Sequence, residues 1–269
     1  MSTLVLRAMY ERGDLTILHE PGGCAFNYLC GYPEELLSSM WRDDAIKTLP
    51  EVGAHILKFA TKKPVFVKEM RAATEALFQS SPELRSYPYL HPIFLIRHPY
   101  DMLMSNYHMR KNLAMVVSPQ NLWDRLSYHN MYDLYESLFA TGAHAPIVII
   151  AEELCTNPEQ IMSRFCHLVS IPFLADKLAW LPLPQNFDAH EEWHANGKDH
   201  EIQYWHAEAL QSTGFHAPRR YTAASGAEHL FEEIEDPELR KLYCELYYAN
   251  LPFYEKFLQI FKDQFFSNV

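Results

Sequence analysis

The chain has 269 residues, enough to bury a sizeable core as one domain or as one domain with a helical appendage. Hydrophobic residues make up 48% of it and aromatics 14%, which excludes a generally disordered polymer. The formal net charge of −11 argues against a long nucleic acid as partner, because proteins that grip one through its phosphates carry a basic balance. One small anion remains within reach, since a few Arg or Lys side chains and backbone N–H groups can hold it.

In chain order, apolar spacing predicts a helix over Leu4–Glu11 and a strand over Leu15–Leu18. Further strands are predicted over Pro64–Val67, Pro92–Ile96 and Pro146–Ile150, with helices over Tyr100–Asn112, Leu122–Phe139 and Glu159–Val169 between and after them. From Trp180 to about Ala227 the text is rich in Pro, His and Gly, which suggests long loops around one helix near Glu201–Gln211. Asp236-Pro237 is a helix-start signal for an amphipathic helix running to Phe261. Strands alternating with helices imply a mainly parallel sheet covered on both faces, in a single domain of residues 1–269. Residues 1–179 would form the α/β core, and 180–269 a loop-rich, helical C-terminal part. No internal repeat or low-complexity tract is present.

Five cysteines, Cys24, Cys30, Cys155, Cys166 and Cys244, are odd in number and contain no CxxC pair, which reads as reduced thiols of an intracellular protein. No signal-like apolar segment opens the chain, and no apolar run approaches the length of a membrane span. A cytoplasmic location without a membrane partner is the expectation.

Ligands of open parallel sheets sit beyond the C-terminal ends of the strands. That rule points to His19-Glu20, Lys68, Arg97-His98 and Glu152-Glu153. The densest stretch is His91-Pro92-Ile93-Phe94-Leu95-Ile96-Arg97-His98-Pro99-Tyr100-Asp101, continuing to Ser105-Asn106-Tyr107. A buried strand would deliver Arg97 to the sheet edge, Pro99 would open a helix, and Ser105 would lie about two turns into it. Arg97 offers a forked, permanently charged donor and Ser105 a hydroxyl for the same anion. The competing reading is an Arg paired with a structural carboxylate at a strand end.

This stretch resembles the 3′-phosphate-binding motif of sulfotransferases. Three further segments resemble bacterial sulfotransferase-like proteins in the same order: Leu6–Asp14 followed by His19-Glu20-Pro21, then Val65–Met70, then Glu152-Glu153-Leu154 with Asn157-Pro158 and Ser170-Ile171-Pro172-Phe173. Trp205 through Ser212-Thr213-Gly214-Phe215 is similar to a late cofactor-side loop. The resemblance implies a three-layer fold of P-loop nucleotide-kinase type and transfer of a sulfuryl group from 3′-phosphoadenosine-5′-phosphosulfate to a hydroxyl or amine of a small acceptor, with no metal. On it, Arg97 and Ser105 hold the 3′-phosphate, while Ser2 and Thr3 are the end of the 5′-phosphosulfate loop. Ser212, Thr213 and Gly214 supply backbone donors, or else simply stop a helix. Glu20 is the candidate base with His19 as runner-up, and Lys68 stabilises charge on the leaving phosphate. The competing readings are a capping or ion-paired Glu20 and a solvated Lys68. The family's first strand and most of its donor loop have no counterpart before Met1, so the resemblance leads to the expectation of a longer gene product, or of another segment or a partner chain filling the gap. A non-catalytic relative lacking a working donor loop is the alternative reading.

A rival motif lies at His190-Glu191-Glu192-Trp193-His194-Ala195-Asn196-Gly197-Lys198-Asp199-His200, which fits H-E-x-x-H-x-x-G-x-x-H. Two His at i and i+4 on a helix can share a zinc ion, Glu191 can polarise a water, and Gly197 lets the chain turn so that His200 joins. Polar filler at Glu192, Asn196, Lys198 and Asp199, and the lack of any Met after Met162, argue against a metalloprotease. The expectation is therefore no metal.

Overall fold

The computed structural model describes residues 2–112, 118–216 and 230–267. The first ninety residues form α1 (Ser2–Glu11), β1 (Thr16–His19), α2 (Gly23–Leu29), α3 (Glu34–Met40), α4 (Leu49–Ala60), β2 (Val65–Lys68), α5 (Arg71–Ser80) and α6 (Pro82–Arg85). There follow β3 (Ile93–Ile96), α7 (Pro99–Asn112), α8 (Pro119–Leu126), α9 (Tyr128–Thr141), β4 (Ile147–Ile150), α10 (Ala151–Thr156) and α11 (Pro158–Leu168). The chain ends with α12 (Ala189–Glu192), α13 (Asp199–Leu210) and α14 (Pro237–Phe266). The protein is thus mixed α/β, mostly helical, with short parallel strand pairs.

Contacts divide the chain into two compact units, one of residues 1–90 and 170–215, the other of residues 91–169 and 216–269. In the first unit β1 and β2 pair in parallel, with Thr16 opposite Val65 and His19 opposite Lys68. Helix α1 packs against both strands and against α13, burying Leu6 and Met9 beside Ile17 and Leu18. It also carries a fully buried Arg7, tolerated because its guanidinium is ion-paired with Glu11 and donates to the carbonyls of Leu181 and Leu210. A satellite core of Cys24, Leu37, Trp41 and Ala45 sits between α2 and α3. Gly23 approaches Trp41 so closely that a Cβ there would lie 2.7 Å from Cη2 of the indole.

In the second unit β3 and β4 pair in parallel, Ile93 opposite Ile147 and Ile96 opposite Ile150. All four residues of β4 are buried, as a continuous apolar run in a sheet covered on both faces should be. Helix α14 packs on β4 and on α7, α8 and α9. It starts where the sequence signal placed it, because the Asp236 carboxylate accepts the N–H groups of Glu238 and Leu239.

The four expected strands are present, each shifted one residue toward the C-terminus at one or both ends. The helix predicted over Leu122–Phe139 is two helices, broken at Ser127. Ser127 accepts the Asn130 N–H as an N-cap. The buried Asn250 of α14 satisfies the groups exposed by the break, accepting the Tyr128 N–H at 2.7 Å and donating to the Leu126 carbonyl at 2.9 Å. A distant side chain supplies what local spacing cannot reveal. The part of the Trp180–Ala227 stretch from 217 onward lies outside the described residues.

Candidate functional site: the strand ends of each unit

In the first unit the C-terminal ends of β1 and β2 place His19, Glu20, Lys68 and Glu69 side by side. Glu20 turns the chain with φ 47°, a left-handed conformation unusual for a non-glycine residue. It is held there by its N–H bonding the Lys68 carbonyl at 2.7 Å and by its own carbonyl accepting the Gly23 N–H at 3.1 Å. Its carboxylate forms an ion pair with the Lys68 ammonium. Burial by itself would push the Glu20 carboxyl up, but the Lys68 charge, the neighbouring His19, the hydrogen bond from Lys68 and His206 together outweigh it and hold the group down to about 2.

Glu69 behaves in the opposite way. Burial, reinforced by the negative charge of Glu20, pushes its carboxyl up to about 8, although its oxygens accept N–H groups from Gly22 at 2.6 Å and Met70 at 2.9 Å. Two neighbouring carboxyls are thus driven apart, one held as a strong acid's anion and the other holding its proton near neutrality. That is the arrangement in which acid and base roles become distinguishable. Glu69 is absent from the candidates that the sequence singles out; the available signal is its position directly after Lys68 at a strand end.

His19 is buried against Trp193, with ring centroids 6.0 Å apart, and lies edge-on to His206 at 4.4 Å. Its backbone N–H donates to the Trp193 carbonyl at 2.9 Å. Burial pushes the His19 imidazole down to about 3 and that of His206 to about 4, so both are neutral at pH 7. His19 Nε2 is buried without a hydrogen-bond partner.

The other first-unit candidates occupy defined places. Ser2 opens α1 and is exposed. Thr3 is buried, its Oγ1 3.1 Å from His206 Nδ1. Ser212 donates to the Ala209 carbonyl and accepts the Trp180 indole N–H, while Thr213 accepts the Trp180 backbone N–H through its carbonyl. Gly214 bridges to Ala179. These three lie just past the end of α13 at Leu210.

The zinc-like motif does not form one helical face. Its helix ends at Glu192, and His194 adopts φ 45°. His190 is tied to Asp199 and to the Ala195 carbonyl, His194 packs on Phe59, and His200 faces Glu201. Among the described residues no group of three or more His, Cys, Asp or Glu is placed to hold a metal ion.

In the second unit Arg97 follows β3 directly, half-buried, and Pro99 opens α7. The turn between them is pinned at two points. The Arg97 carbonyl accepts the buried Tyr128 hydroxyl at 2.5 Å, and the His98 N–H donates to Glu152 Oε1 at 2.9 Å. Ser105 is half-buried on α7. The turn between β3 and α7 is therefore held by side chains from α9 and α10, which lie well beyond it in sequence.

No family model matches the chain. The chain is similar to Branched-chain-amino-acid aminotransferase-like protein 2 of Arabidopsis thaliana, 28% identical over 227 residues, covering 82% of this chain and 35% of that protein. It is also similar to Branched-chain-amino-acid aminotransferase-like protein 1 of the same plant, 25% identical over 236 residues, covering 85% of this chain and 37% of that protein. The chain thus spans about a third of the length of these curated relatives. Among solved structures, a sulfotransferase domain from the curacin biosynthetic pathway aligns over 94% of this chain and 86% of its own at 15% identity, with a TM-score of 0.39. A likeness that loose says nothing about how this chain works. Among the described residues, no helix is long and apolar enough to cross a membrane.

Proposed function

We propose that the chain is a sulfotransferase-like enzyme that moves a sulfuryl group from 3′-phosphoadenosine-5′-phosphosulfate to a hydroxyl or amine of a small acceptor. The proposal includes a three-layer arrangement of P-loop type and a cytoplasmic setting without nucleic acid, membrane or metal. The observation that carries it is the junction at Arg97. A parallel strand with every second residue buried ends there, the backbone around it is pinned by Tyr128 and Glu152, and a fourteen-residue helix begins two residues later with Ser105 on it. A guanidinium carried on a pinned turn beside a helix N-terminus suits a phosphate monoester dianion.

In this reading Arg97 and Ser105 hold the 3′-phosphate. In the first unit Ser2, Thr3, Ser212, Thr213 and Gly214 are assigned to the rest of the donor, and Lys68 to charge on the leaving phosphate. Proton removal from the acceptor falls to Glu20, with His19 as the second candidate; neither step requires the protein to become covalently attached. The protein's task is to place the two reactants in line and to neutralise the leaving phosphate.

A second reading, a non-catalytic relative of the same fold, is favoured by a specific observation. Glu20 is closed in an ion pair with Lys68 and its affinity for a proton is low, while Thr3 and Ser212 spend their hydroxyls on internal hydrogen bonds. The word aminotransferase in the relatives' names belongs to proteins about three times as long as the shared segment and is not transferred to this chain.

Titration calorimetry with adenosine 3′,5′-bisphosphate separates the readings. Saturable binding that Arg97→Ala weakens by about 2 kcal/mol, the usual loss for a charged hydrogen-bond donor, supports the first. Binding that is absent, or indifferent to Arg97, defeats it. Sulfuryl transfer retained by Glu20→Gln removes Glu20 from the base role.

A further inference from the structure

Arg110 lies in the last turn of α7 and is 8% exposed. Its Nε donates to Asn106 Oδ1 at 2.7 Å, and the same oxygen accepts the Tyr243 hydroxyl at 3.1 Å. The fork of the guanidinium is therefore fixed in direction by a residue one turn back and by α14. Its Nη1 is buried and has no hydrogen-bond partner. Among the described residues no carboxylate forms an ion pair with it. Besides burial, the ionisable neighbours that bear on it are Tyr243 of α14 and, more weakly, Arg125 of α8, a second cation.

This is a costly arrangement for the protein by itself. A guanidinium does not shed its proton at any pH the fold survives, so burial cannot be relieved by neutralisation. An uncompensated buried charge is strongly destabilising, and a second positive charge nearby adds to that. The carbonyls at the end of α7 complement a cation, yet Nη1 is left without an acceptor. A counter-anion from outside would remove both costs at once.

We propose that Arg110, oriented by Asn106 and Tyr243, is the primary ligand of a small-oxyanion site of the phosphate or sulfate class in the second unit. It is separate from the Arg97 junction, because Arg110 lies eleven positions beyond Pro99 on α7, roughly 16 Å along the helix axis. Residue types of this kind have the geometry for two parallel N–H···O bonds to one tetrahedral anion. The proposal does not depend on the sulfotransferase reading.

The test uses the full chain carrying Arg97→Ala, so that a phosphate held at the first junction cannot be mistaken for this one. Inorganic phosphate and sulfate are titrated calorimetrically at constant ionic strength, with adenosine 5′-monophosphate as a parallel arm. One saturable site should persist in the Arg97→Ala chain and weaken at least tenfold when Arg110→Gln is added. Stronger binding of the nucleotide than of free phosphate would mark the site as one for a phosphoryl group on a larger molecule; stronger binding of free phosphate would mark it as a site for the free ion. Arg110→Lys keeps the charge but not the fork, and should bind at least threefold more weakly than its parent, a reading that does not depend on the glutamine variant folding. Absence of saturable binding in the Arg97→Ala chain, or binding indifferent to both Arg110 changes, overturns the proposal.

Discussion

Gln264 of α14 serves Val148 of β4 as a neighbouring strand would. Its Oε1 accepts the Val148 N–H at 2.9 Å, and its Nε2 donates to the carbonyl of Pro146, two residues back, at 2.8 Å. A side-chain amide carries the same donor and acceptor pair as a peptide group, so one glutamine can cap one repeat of a parallel edge. Arg164 holds the Gln264 carbonyl at 2.9 Å and so fixes the end of the helix that presents it.

From that pairing, Gln264→Ala should destabilise the chain by about 1–3 kcal/mol, the cost of leaving buried backbone groups without partners. Gln264→Glu should be nearly as harmful, because a carboxylate cannot donate to Pro146. Urea unfolding reads both. A glutamate variant as stable as the parent would show that only the Val148 bond matters.

Asn250 makes a comparable prediction. Replacing it with Ala strips the Tyr128 N–H and the Leu126 carbonyl of their partners at the break between α8 and α9. A loss of about 2 kcal/mol is expected by the same reasoning. Since Tyr128 also pins the Arg97 carbonyl, affinity for adenosine 3′,5′-bisphosphate should fall in the surviving folded protein.

His19 and His206 predict acid sensitivity. Burial holds their folded-state pKa values at about 3 and about 4, against 6.5 for a free imidazole. Below pH 6.5 the unfolded chain binds more protons than the folded one, so the contribution is complete above 6.5. It is lost as pH falls toward about 4 and then about 3. Each histidine contributes a slope of up to about 1.4 kcal/mol per pH unit in that window. Thermal unfolding at about pH 7.5 and about pH 5 should show the drop, and His206→Gln should flatten it. An unchanged slope in that variant would mean His206 is not buried neutral.

The Glu20–Lys68 pair acts in a lower window. Because the Glu20 pKa is depressed from 4.5 to about 2, its contribution is present above pH 4.5 and disappears as pH falls through 2. Lys68→Met leaves the carboxylate buried without its partner and should cost about 3 kcal/mol at neutral pH. Adding Glu20→Gln should recover much of that loss; if it does not, the pair is not the source.

Gly23 is a packing constraint. Gly23→Ala drives a methyl group into the Trp41 indole and should cost about 1–3 kcal/mol. The helix-propensity gain is small at the first residue of α2, so it does not compensate. Trp41→Leu should relieve the clash, with the double variant less affected than the sum of the two single changes.

The strands at Ile93–Ile96 and Ile147–Ile150 could be read from the chain because each is a short continuous apolar run between helical spacings, the composition that burial on both faces demands of β4 and partial burial allows in β3. The starts of α7 and α14 were equally readable, since Pro99 and Asp236-Pro237 act on their immediate neighbours. Strand ends, and so His19, Glu20, Lys68 and Arg97, followed from the same local patterns together with the rule that ligands gather at C-terminal edges.

What sequence could not supply was every relation made by residues far apart along the chain. The break at Ser127 depends on Asn250, the edge of β4 on Gln264, and the neutrality of His19 on Trp193 and His206. The raised pKa of Glu69 is likewise set by burial and by Glu20, and the depressed one of Glu20 by Lys68 and the neighbouring histidines acting against burial. Local spacing determines which segments become helices and strands because those are short-range preferences. Protonation, satisfaction of buried polar groups and the isolation of a charge such as Arg110 depend on distance and dielectric, which exist only once the chain has folded.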